Sequence, residues 1–356
     1  MRTVEAGEVG RPAADHLMPP LVRAARREAV DRRPVWFMRQ AGRSLPEYRK
    51  IRESYDLFTI CQNPELCAEV TLQPVRRLGV DGAVLFADIM LPIAFGLGVG
   101  LQLVDGVGPV VEHPIRAQAD IDRLQSTPAA EAVPFVLKAI ELLRRQLDPS
   151  VAVIGFSGAP FTLAGYLIEG KPSREFLKTK TMMYAEPALW DGLMTRLSRL
   201  VLEYLVAQID AGAQLVQVFD SWVGALSPSD YRRYVLPYMT SIFSGLQRVG
   251  TPSIHFGTGS AGILSLMREA GGDVIGVDWR IDLGEAWRVI GYDRGIQGNL
   301  DPALLLGPWP VIEDGARGVI EAAGGRPGHI FNLGHGVLPD SPVEHLQRLV
   351  EYVHAA

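Results

Sequence analysis

The stretch Pro34–Glu53, PVWFMRQAGRSLPEYRKIRE, combines a short apolar run, a polar loop and the start of a helix. The run Val35–Met38 predicts a buried strand. Ser44 followed by Glu47 three residues later predicts a capping box, and Pro46 suits the first helical turn. The stretch therefore predicts one β/α unit.

Seven further apolar runs predict buried strands, and segments with helical periodicity separate most of them. Strands that are apolar on both faces and alternate with helices favour a parallel sheet with right-handed crossovers. Eight such units predict a single-domain (β/α)8 barrel with its active site at the carboxyl ends of the strands. A doubly wound open sheet is the alternative, weakened because no GxGxxG motif follows the first strand. The eight predicted strands are Val35–Met38, Gly82–Phe86, Val151–Phe156, Gln214–Phe219, Pro252–Phe256, Val274–Val277, Gly295–Gly298 and His329–Leu333.

The domain organisation follows from the same pattern. Residues 1–18 are expected to form a flexible tail, and residues 19–356 are expected to form the barrel domain. Asp105-Gly106 between alternating apolar residues predicts a hairpin inserted after the second strand.

Composition excludes several classes of protein. With 47% hydrophobic and 21% charged residues, the chain of 356 residues can bury a large core and is not expected to be disordered. A net charge of −5 does not fit a general nucleic-acid binder. The most apolar window, Leu91–Val104, is too short and too interrupted to span a membrane. The N-terminal segment lacks the apolar region of a signal peptide.

Cys61 and Cys67 are the only cysteines, six residues apart and with no histidine near them. This spacing favours neither a disulfide framework nor a zinc site. We interpret them as reduced thiols of a cytoplasmic protein, and no metal is expected.

The loop after the first strand carries Arg39 and Arg43 beside the start of a helix. A guanidinium group matches a carboxylate with two parallel hydrogen bonds, and the helix dipole adds positive potential there. Gly42 allows the loop to turn tightly. The loop therefore predicts an anion-binding site, and the alternative is a surface loop with solvated arginines.

Polar residues also follow the other predicted strands, and in a barrel they would share one face. Each has a structural alternative: a helix cap for Asp88 and Ser221, a hydroxyl paired in the core for Tyr166, and a turn for His335. The strand ends supply Asp88, Ser157-Gly158-Ala159-Pro160 with Tyr166 on the next helix, Asp220-Ser221-Trp222, Gly257-Thr258-Gly259, Asp278-Trp279-Arg280, Asn299 and Gly334-His335-Gly336.

Several motifs together resemble the uroporphyrinogen decarboxylase family. They are FMRQAGRSLPEYR, GFSGAPFTLAGYLIEG, QVFDSW, HFGTG, GVDWR, IQGNLDP and NLGHG, and the resemblance runs from about Leu21 to the C-terminus. It implies a single-domain (β/α)8 barrel, usually a homodimer with facing clefts. It also implies an enzyme that converts uroporphyrinogen III to coproporphyrinogen III by removing four acetate carboxyl groups without a cofactor.

The resemblance also assigns residues by position. It implies Asp88 and Arg39 as catalytic residues, with Asp88 facing the pyrrole N–H groups of the substrate. Tyr166, Ser221 and His335 match residues that contact the side-chain carboxylates. The implied substrate-binding set is Arg39, Gln40, Ala41, Gly42, Arg43, Arg52, Asp88, Tyr166, Ser221 and His335.

The chemistry agrees with these roles. Loss of CO2 from an acetate on a pyrrole becomes possible when a ring carbon is first protonated, because the resulting cation accepts the electrons. An ionised carboxylate beside the ring stabilises that cation. Arg39 is a poor acid because the pKa of arginine exceeds about 12. Water, a substrate carboxyl and His335 remain as candidate proton donors.

Two other functions compete with decarboxylation. A methyltransferase of the same superfamily would need a zinc-thiolate motif of the His-X-Cys kind, which neither cysteine has. A porphyrinogen carrier without catalysis would keep the arginines but would not need Asp88.

Overall fold

The computed structural model of the chain describes residues 18–104 and 106–356. One sheet holds seven parallel strands in the order β1-β4-β5-β6-β7-β8-β9, and β2 and β3 form a separate antiparallel pair. The strands are β1 (Gly82–Val84), β2 (Leu101–Val104), β3 (Gly108–Val111), β4 (Ala152–Gly158), β5 (Leu215–Asp220), β6 (Ser253–Gly257), β7 (Val274–Gly276), β8 (Gly295–Leu300) and β9 (His329–Leu333).

Helices connect the strands, as a parallel sheet requires. Within the described residues, no helix combines the length and the apolar character that a bilayer crossing demands. The α-helices are α1 (Pro20–Ala25), α2 (Pro46–Arg52), α3 (Leu57–Gln62), α4 (Pro64–Leu78), α5 (Gln118–Asp122), α6 (Ala129–Ala132), α7 (Pro134–Gln146), α8 (Pro160–Glu169), α9 (Leu177–Ala185), α10 (Pro187–Asp210), α11 (Pro228–Tyr234), α12 (Leu236–Val249), α13 (Leu264–Ala270), α14 (Leu283–Ile290), α15 (Trp309–Ala323) and α16 (Val343–Ala355).

The predicted parallel sheet is confirmed, and seven of the eight predicted runs overlap observed strands. Strands of the large sheet neighbour one another in the order in which they occur along the chain. A doubly wound sheet reverses its strand order at a switch point, so this alternative does not fit.

The predicted strand Val35–Met38 is wrong in extent. Val35 makes a single parallel bridge with Phe331, and no ladder follows. The reason is local, because the N–H of Phe37 donates to Gln40 Oε1 at 3.0 Å instead of to a neighbouring strand. A side chain thus replaces the ladder, and the chain bends into the loop that carries Arg39.

This bridging segment nevertheless contacts the sheet on two sides. Phe331 N–H on β9 donates to Pro34 O at 2.9 Å. Asp81 N–H, just before β1, donates to Val35 O at 2.8 Å. The segment therefore lies between the last and the first strand of the large sheet.

A chain of buried polar groups crosses the interior of this arrangement. Trp36 Nε1–H donates to Gln297 Oε1 at 3.0 Å, and Gln297 Nε2–H donates to Gln217 Oε1 at 2.8 Å. These side chains come from the bridging segment, β8 and β5. Hydrogen bonds between distant elements in a dry interior fix their relative positions.

The capping box predicted at Ser44 is also wrong. Helix α2 begins at Pro46 with Leu45 as its N-cap, and no side chain caps it. Ser44 is buried and its hydroxyl has no partner in the described structure. The helix starts later than predicted, so Ser44 Oγ does not face the N–H of Glu47.

The predicted hairpin is confirmed, with Leu101 opposite Val111 in the β2–β3 pair. Val111 N–H donates to Gly170 O at 2.7 Å, which fastens the hairpin to the end of α8. Of its predicted turn, Asp105 lies outside the described residues. So does the predicted tail, except for Met18, which packs against the core.

Candidate active site

Arg39 lies where the bridging segment turns into its loop, with its backbone in the left-handed region at φ 58°. Non-glycine residues in this region are uncommon and concentrate at functional sites. Two glycines make room for it. A Cβ added at Gly42 would lie 3.0 Å from Arg39 O, and one added at Gly336 would lie 2.5 Å from Arg39 Cδ.

Asp88 follows β1 in a tight turn. Its Oδ1 accepts the N–H of Met90 at 2.8 Å, so the carboxylate does cap a local turn. Its Oδ2 has no hydrogen-bond partner among the described residues. One carboxylate oxygen therefore fixes the side chain, and the other is free to accept hydrogen bonds from a ligand.

Arg39 lies within electrostatic reach of Asp88, Tyr166 and His335. Burial raises the pKa of Asp88, and the N–H of Met90 and the charge of Arg39 oppose that rise. Burial, followed by Arg39, lowers the pKa of His335 to about 4. Burial and Asp88 raise the pKa of Tyr166 to about 12, against the effect of Arg39. Residues from four separate parts of the chain thus meet at one place.

Ser221 lies just beyond β5, half-buried, beside a hydrogen-bonded link to α8. Thr162 on α8 donates its hydroxyl to Asp220 Oδ1 at 3.1 Å. The N–H of Trp222 donates back to Thr162 Oγ1 at 3.4 Å, and the Trp222 ring lies 4.2 Å from that of Tyr166. The link therefore sets Ser221 relative to Tyr166.

Asp220 is among the residues predicted at the strand ends, although the sequence assigned it no role. Thr162, which contacts Asp220, was not predicted. A threonine one turn before Tyr166 has no distinctive spacing that would have identified it.

The two glycines of NLGHG have a steric reason. A Cβ added at Gly334 would lie 2.5 Å from the backbone N of Trp279, and Gly336 makes room for Arg39. His335 between them is half-buried. The motif therefore brings the loops after the bridging segment, β7 and β9 close together.

Gln40 and Ala41 face the interior. Gln40 is fully buried, with Nε2–H donating to Gly82 O at 2.8 Å and Oε1 accepting from Phe37. Its amide group is already hydrogen-bonded at both ends and does not extend into the cleft. Ala41 is buried as well.

Arg43 and Arg52 form a second cationic group beside Tyr48. Both are exposed, and both lower the pKa of Tyr48 against a larger rise caused by burial. Arg52 also donates to Tyr55 O at 2.9 Å. The predicted arginines therefore divide into Arg39 at the centre and two others beside Tyr48.

The cysteines lie beneath the turn that carries Asp88. Cys61 and Cys67 are free and buried, with their sulfur atoms 3.9 and 3.1 Å from Phe86 O. Burial raises the pKa of both thiols. Across residues 18–104 and 106–356, no three His, Cys, Asp or Glu side chains are grouped to hold a metal ion.

Comparison with protein families assigns the chain to one class. The sequence model of the family Uroporphyrinogen decarboxylase (URO-D) matches residues 17–356. The chain belongs to this family.

Individual relatives agree with this assignment over nearly their full length. A uroporphyrinogen decarboxylase from Salinispora tropica is 53% identical over 98% of this chain and 93% of its own length. One from Thermus thermophilus is 54% identical over 94% of this chain and 96% of its own length.

Among solved structures, a methyltransferase from Methanosarcina mazei superposes with a TM-score of 0.78 and 23% identity. The match covers 95% of this chain and 98% of that protein. At this identity the likeness shows a shared fold alone.

Proposed function

We propose that this chain decarboxylates uroporphyrinogen III to coproporphyrinogen III in porphyrin and haem biosynthesis. The activity is that of the family, supported by relatives 51–54% identical over at least 94% of this chain. The observation that carries the location of the site is the meeting of Arg39 with Asp88, Tyr166 and His335.

Asp88 is proposed as the catalytic carboxylate. Its free Oδ2 accepts hydrogen bonds from the pyrrole N–H groups, and its charge stabilises the cation formed when a proton adds to a ring carbon. The bond between the acetate methylene and CO2 then breaks, and its electron pair neutralises the ring cation. A second proton adds to the exocyclic methylene to form the methyl group, and the first proton leaves the ring carbon to restore the pyrrole. One proton is consumed for each CO2 released, and neither a metal nor an organic cofactor is required.

Arg39 has two proposed effects. Its positive charge lowers the pKa of Asp88 against the rise caused by burial, which favours the ionised form that this chemistry needs. The N–H groups of its guanidinium can also bind a substrate carboxylate through two parallel hydrogen bonds. The carrier alternative explains the arginine, but it gives no reason for a half-buried acid beside it.

His335 is less suited than the other two candidates to be the proton donor. A pKa lowered to about 4 leaves its imidazole neutral near pH 7. Neutral His335 and the protonated phenol of Tyr166 can still donate hydrogen bonds to carboxylates, as Ser221 can. Water and a substrate carboxyl remain as proposed donors.

The other loop residues are proposed to act at the edge of the site. Arg43 and Arg52 are exposed and suited to carboxylates that extend away from the macrocycle. For Gln40, Ala41 and Gly42 the proposal is limited to backbone contact, because the Gln40 amide group is already hydrogen-bonded.

We infer further that residues 19–356 form one domain whose sheet closes as an eight-stranded barrel. Support comes from the bridging segment, which hydrogen-bonds to Phe331 on one side and to Asp81 on the other.

The family resemblance supports a cytoplasmic homodimer, and light scattering on the purified protein tests the dimer.

The activity is tested by incubating the purified protein anaerobically with uroporphyrinogen III and counting the carboxyl groups of the product. We expect four to be lost. Tight binding without any loss would instead identify a carrier. One firmly held zinc ion per chain, together with methyl transfer, would support the methyltransferase alternative.

A further inference from the structure

Arg280 is a cation held in a fixed position in the loop after β7. Its guanidinium lies 4.1 Å from the centre of the Trp279 ring and is ion-paired with Asp278. Planar stacking on an aromatic face and an ion pair both restrict an arginine that would otherwise be mobile. The guanidinium is therefore preorganised before any ligand arrives.

Asp278 anchors this arrangement from inside the protein. Its side chain is 1% exposed, against 52% for that of Arg280. Its Oδ2 accepts the N–H of Gly259 at 2.7 Å, and its Oδ1 accepts the backbone N–H of Arg280 at 3.2 Å. The buried Asp278 thus anchors the ion pair, and the Arg280 guanidinium is the exposed partner.

The Arg280 guanidinium also lies near the candidate active site. The backbone and ring of Trp279 pack against Gly334, directly before His335. Arg39 and Arg280 both lower the pKa of His335, and Asp278, between them in strength, raises it. Arg280 and Arg39 therefore both lie near His335, since Gly334 packs against Trp279 and Gly336 packs against Arg39.

Arg280 comes from a different part of the fold than the other arginines of the proposed site. Arg39, Arg43 and Arg52 all belong to the stretch Pro34–Glu53. Arg280 follows β7, two places from β9 in the sheet order. A macrocycle with carboxylates around its whole edge needs cations from more than one side.

We propose that Arg280 binds a peripheral carboxylate of the tetrapyrrole that is retained in the product. The proposal rests on the proposed function and adds a substrate-binding residue to it. The reacting acetate must lie near Asp88, whereas Arg280 is exposed at the rim. Substrate and product both carry the retained carboxylates, so Arg280 binds both equally and does not act on the chemical step.

The test compares Arg280→Gln with Arg280→Lys and with a matched control. Uniform binding requires that Arg280→Gln raises KM for uroporphyrinogen, by about tenfold for one lost hydrogen bond to a charged group. It should leave kcat nearly unchanged and weaken inhibition by coproporphyrinogen by the same factor. Arg280→Lys keeps the charge but loses the fork, so an intermediate KM is expected.

Arg268→Gln is the control. Arg268 is also exposed and ion-paired, with Asp293 at 2.8 Å, but it lies in the last turn of α13, away from the carboxyl ends of the strands. Its replacement should leave KM unchanged.

An unchanged KM in Arg280→Gln, or a fall in kcat alone, would overturn the role. A rise in KM without weaker product inhibition would overturn the retained-carboxylate assignment. If Arg280→Gln does not fold, Arg280→Lys, which preserves the ion pair with Asp278, decides by the same comparison. An inactive wild-type protein would count against the proposed function, whereas an active one with normal variants would count against Arg280 alone.

Discussion

The hydroxyl of Thr162 donates to Asp220 Oδ1 at 3.1 Å, which ties α8 to the end of β5. Helix α8 carries Tyr166, and the residue after β5 is Ser221. The second oxygen, Asp220 Oδ2, has no partner in the described structure. Two proposed substrate contacts therefore depend on one buried acid that is only partly satisfied.

The first prediction concerns this acid and pH. Burial raises the pKa of Asp220 from its ordinary 3.8 to about 7, so the fold favours the protonated form. The stability linked to that proton is fully present below pH 3.8 and is lost as pH rises through about 7. We expect Asp220→Asn, which cannot ionise, to lose less stability than the wild type between pH 5 and 8.

Denaturant unfolding at several pH values measures this difference. Parallel pH dependences for the two proteins would mean that Asp220 is not a proton-linked group in this range. Thr162→Val, which removes the hydroxyl but not the acid, separates the hydrogen bond from the charge.

The second prediction concerns Gly336. A Cβ there would lie 2.5 Å from Arg39 Cδ and 2.8 Å from Arg39 Cγ, so Gly336→Ala must displace this side chain. Misplacement of a catalytic group by about 1 Å can cost about 100-fold in rate, so a fall of at least tenfold in kcat is expected. Steady-state kinetics and thermal unfolding together measure it.

The control for this variant is Gly192→Ala. Gly192 lies in α10, and nothing lies within 4 Å of a Cβ added there. Alanine should be neutral or stabilising at this helical position and should leave turnover intact. Normal activity in Gly336→Ala would show that Arg39 tolerates displacement.

The third prediction concerns Asp88. Asp88→Ala should abolish carboxyl loss, because no other carboxylate is proposed to stabilise the ring cation. Asp301 supplies a matched control, since its Oδ1 accepts the N–H of Ala303 at 2.9 Å in the same kind of turn after β8. Asp301→Ala removes the hydrogen bond that caps this turn but leaves the Asp88 carboxylate in place, so the variant should remain active.

Product analysis under anaerobic conditions decides between them. Turnover of Asp88→Ala at the wild-type rate would remove Asp88 from the mechanism. Equal losses in both variants would mean that the turn, and not the carboxylate, is needed.

The fourth prediction compares two cations from the same stretch. Arg39→Ala should weaken substrate binding and turnover together, because Arg39 acts on Asp88 and on the substrate. Lys50→Ala removes an exposed charge on α2 and should have little effect. Equal effects in a kinetic comparison would place the anion-binding site elsewhere.

Much of the fold could be predicted from local patterns. Runs such as Val274–Val277 are apolar on both faces because helices and interior cover a parallel strand, and that pattern is visible without a structure. The exception was Val35–Met38, which is apolar and buried as predicted but forms only one β-bridge and no ladder. Burial can be inferred from composition, whereas hydrogen-bond partners such as Gln40 depend on tertiary structure.

The site was predictable in the same partial way. Charged residues after strands identified Arg39 and Asp88 as candidates. No sequence pattern distinguished Gln40 from the exposed arginines beside it, although its amide group is fully hydrogen-bonded inside the protein. Nor could spacing show that Trp279 packs against Gly334, the contact that brings Arg280 near His335.

The N–H of Met38 donates to Asn332 Oδ1 at 3.3 Å, across 294 positions of sequence. During synthesis, a ribosome must add 294 residues after Met38 before this partner is made. Contacts between such distant positions form late and slowly. The residue after Met38 is Arg39, so a nascent or prematurely terminated chain would lack a correctly placed guanidinium, and catalytic competence would appear only after translation has passed β9.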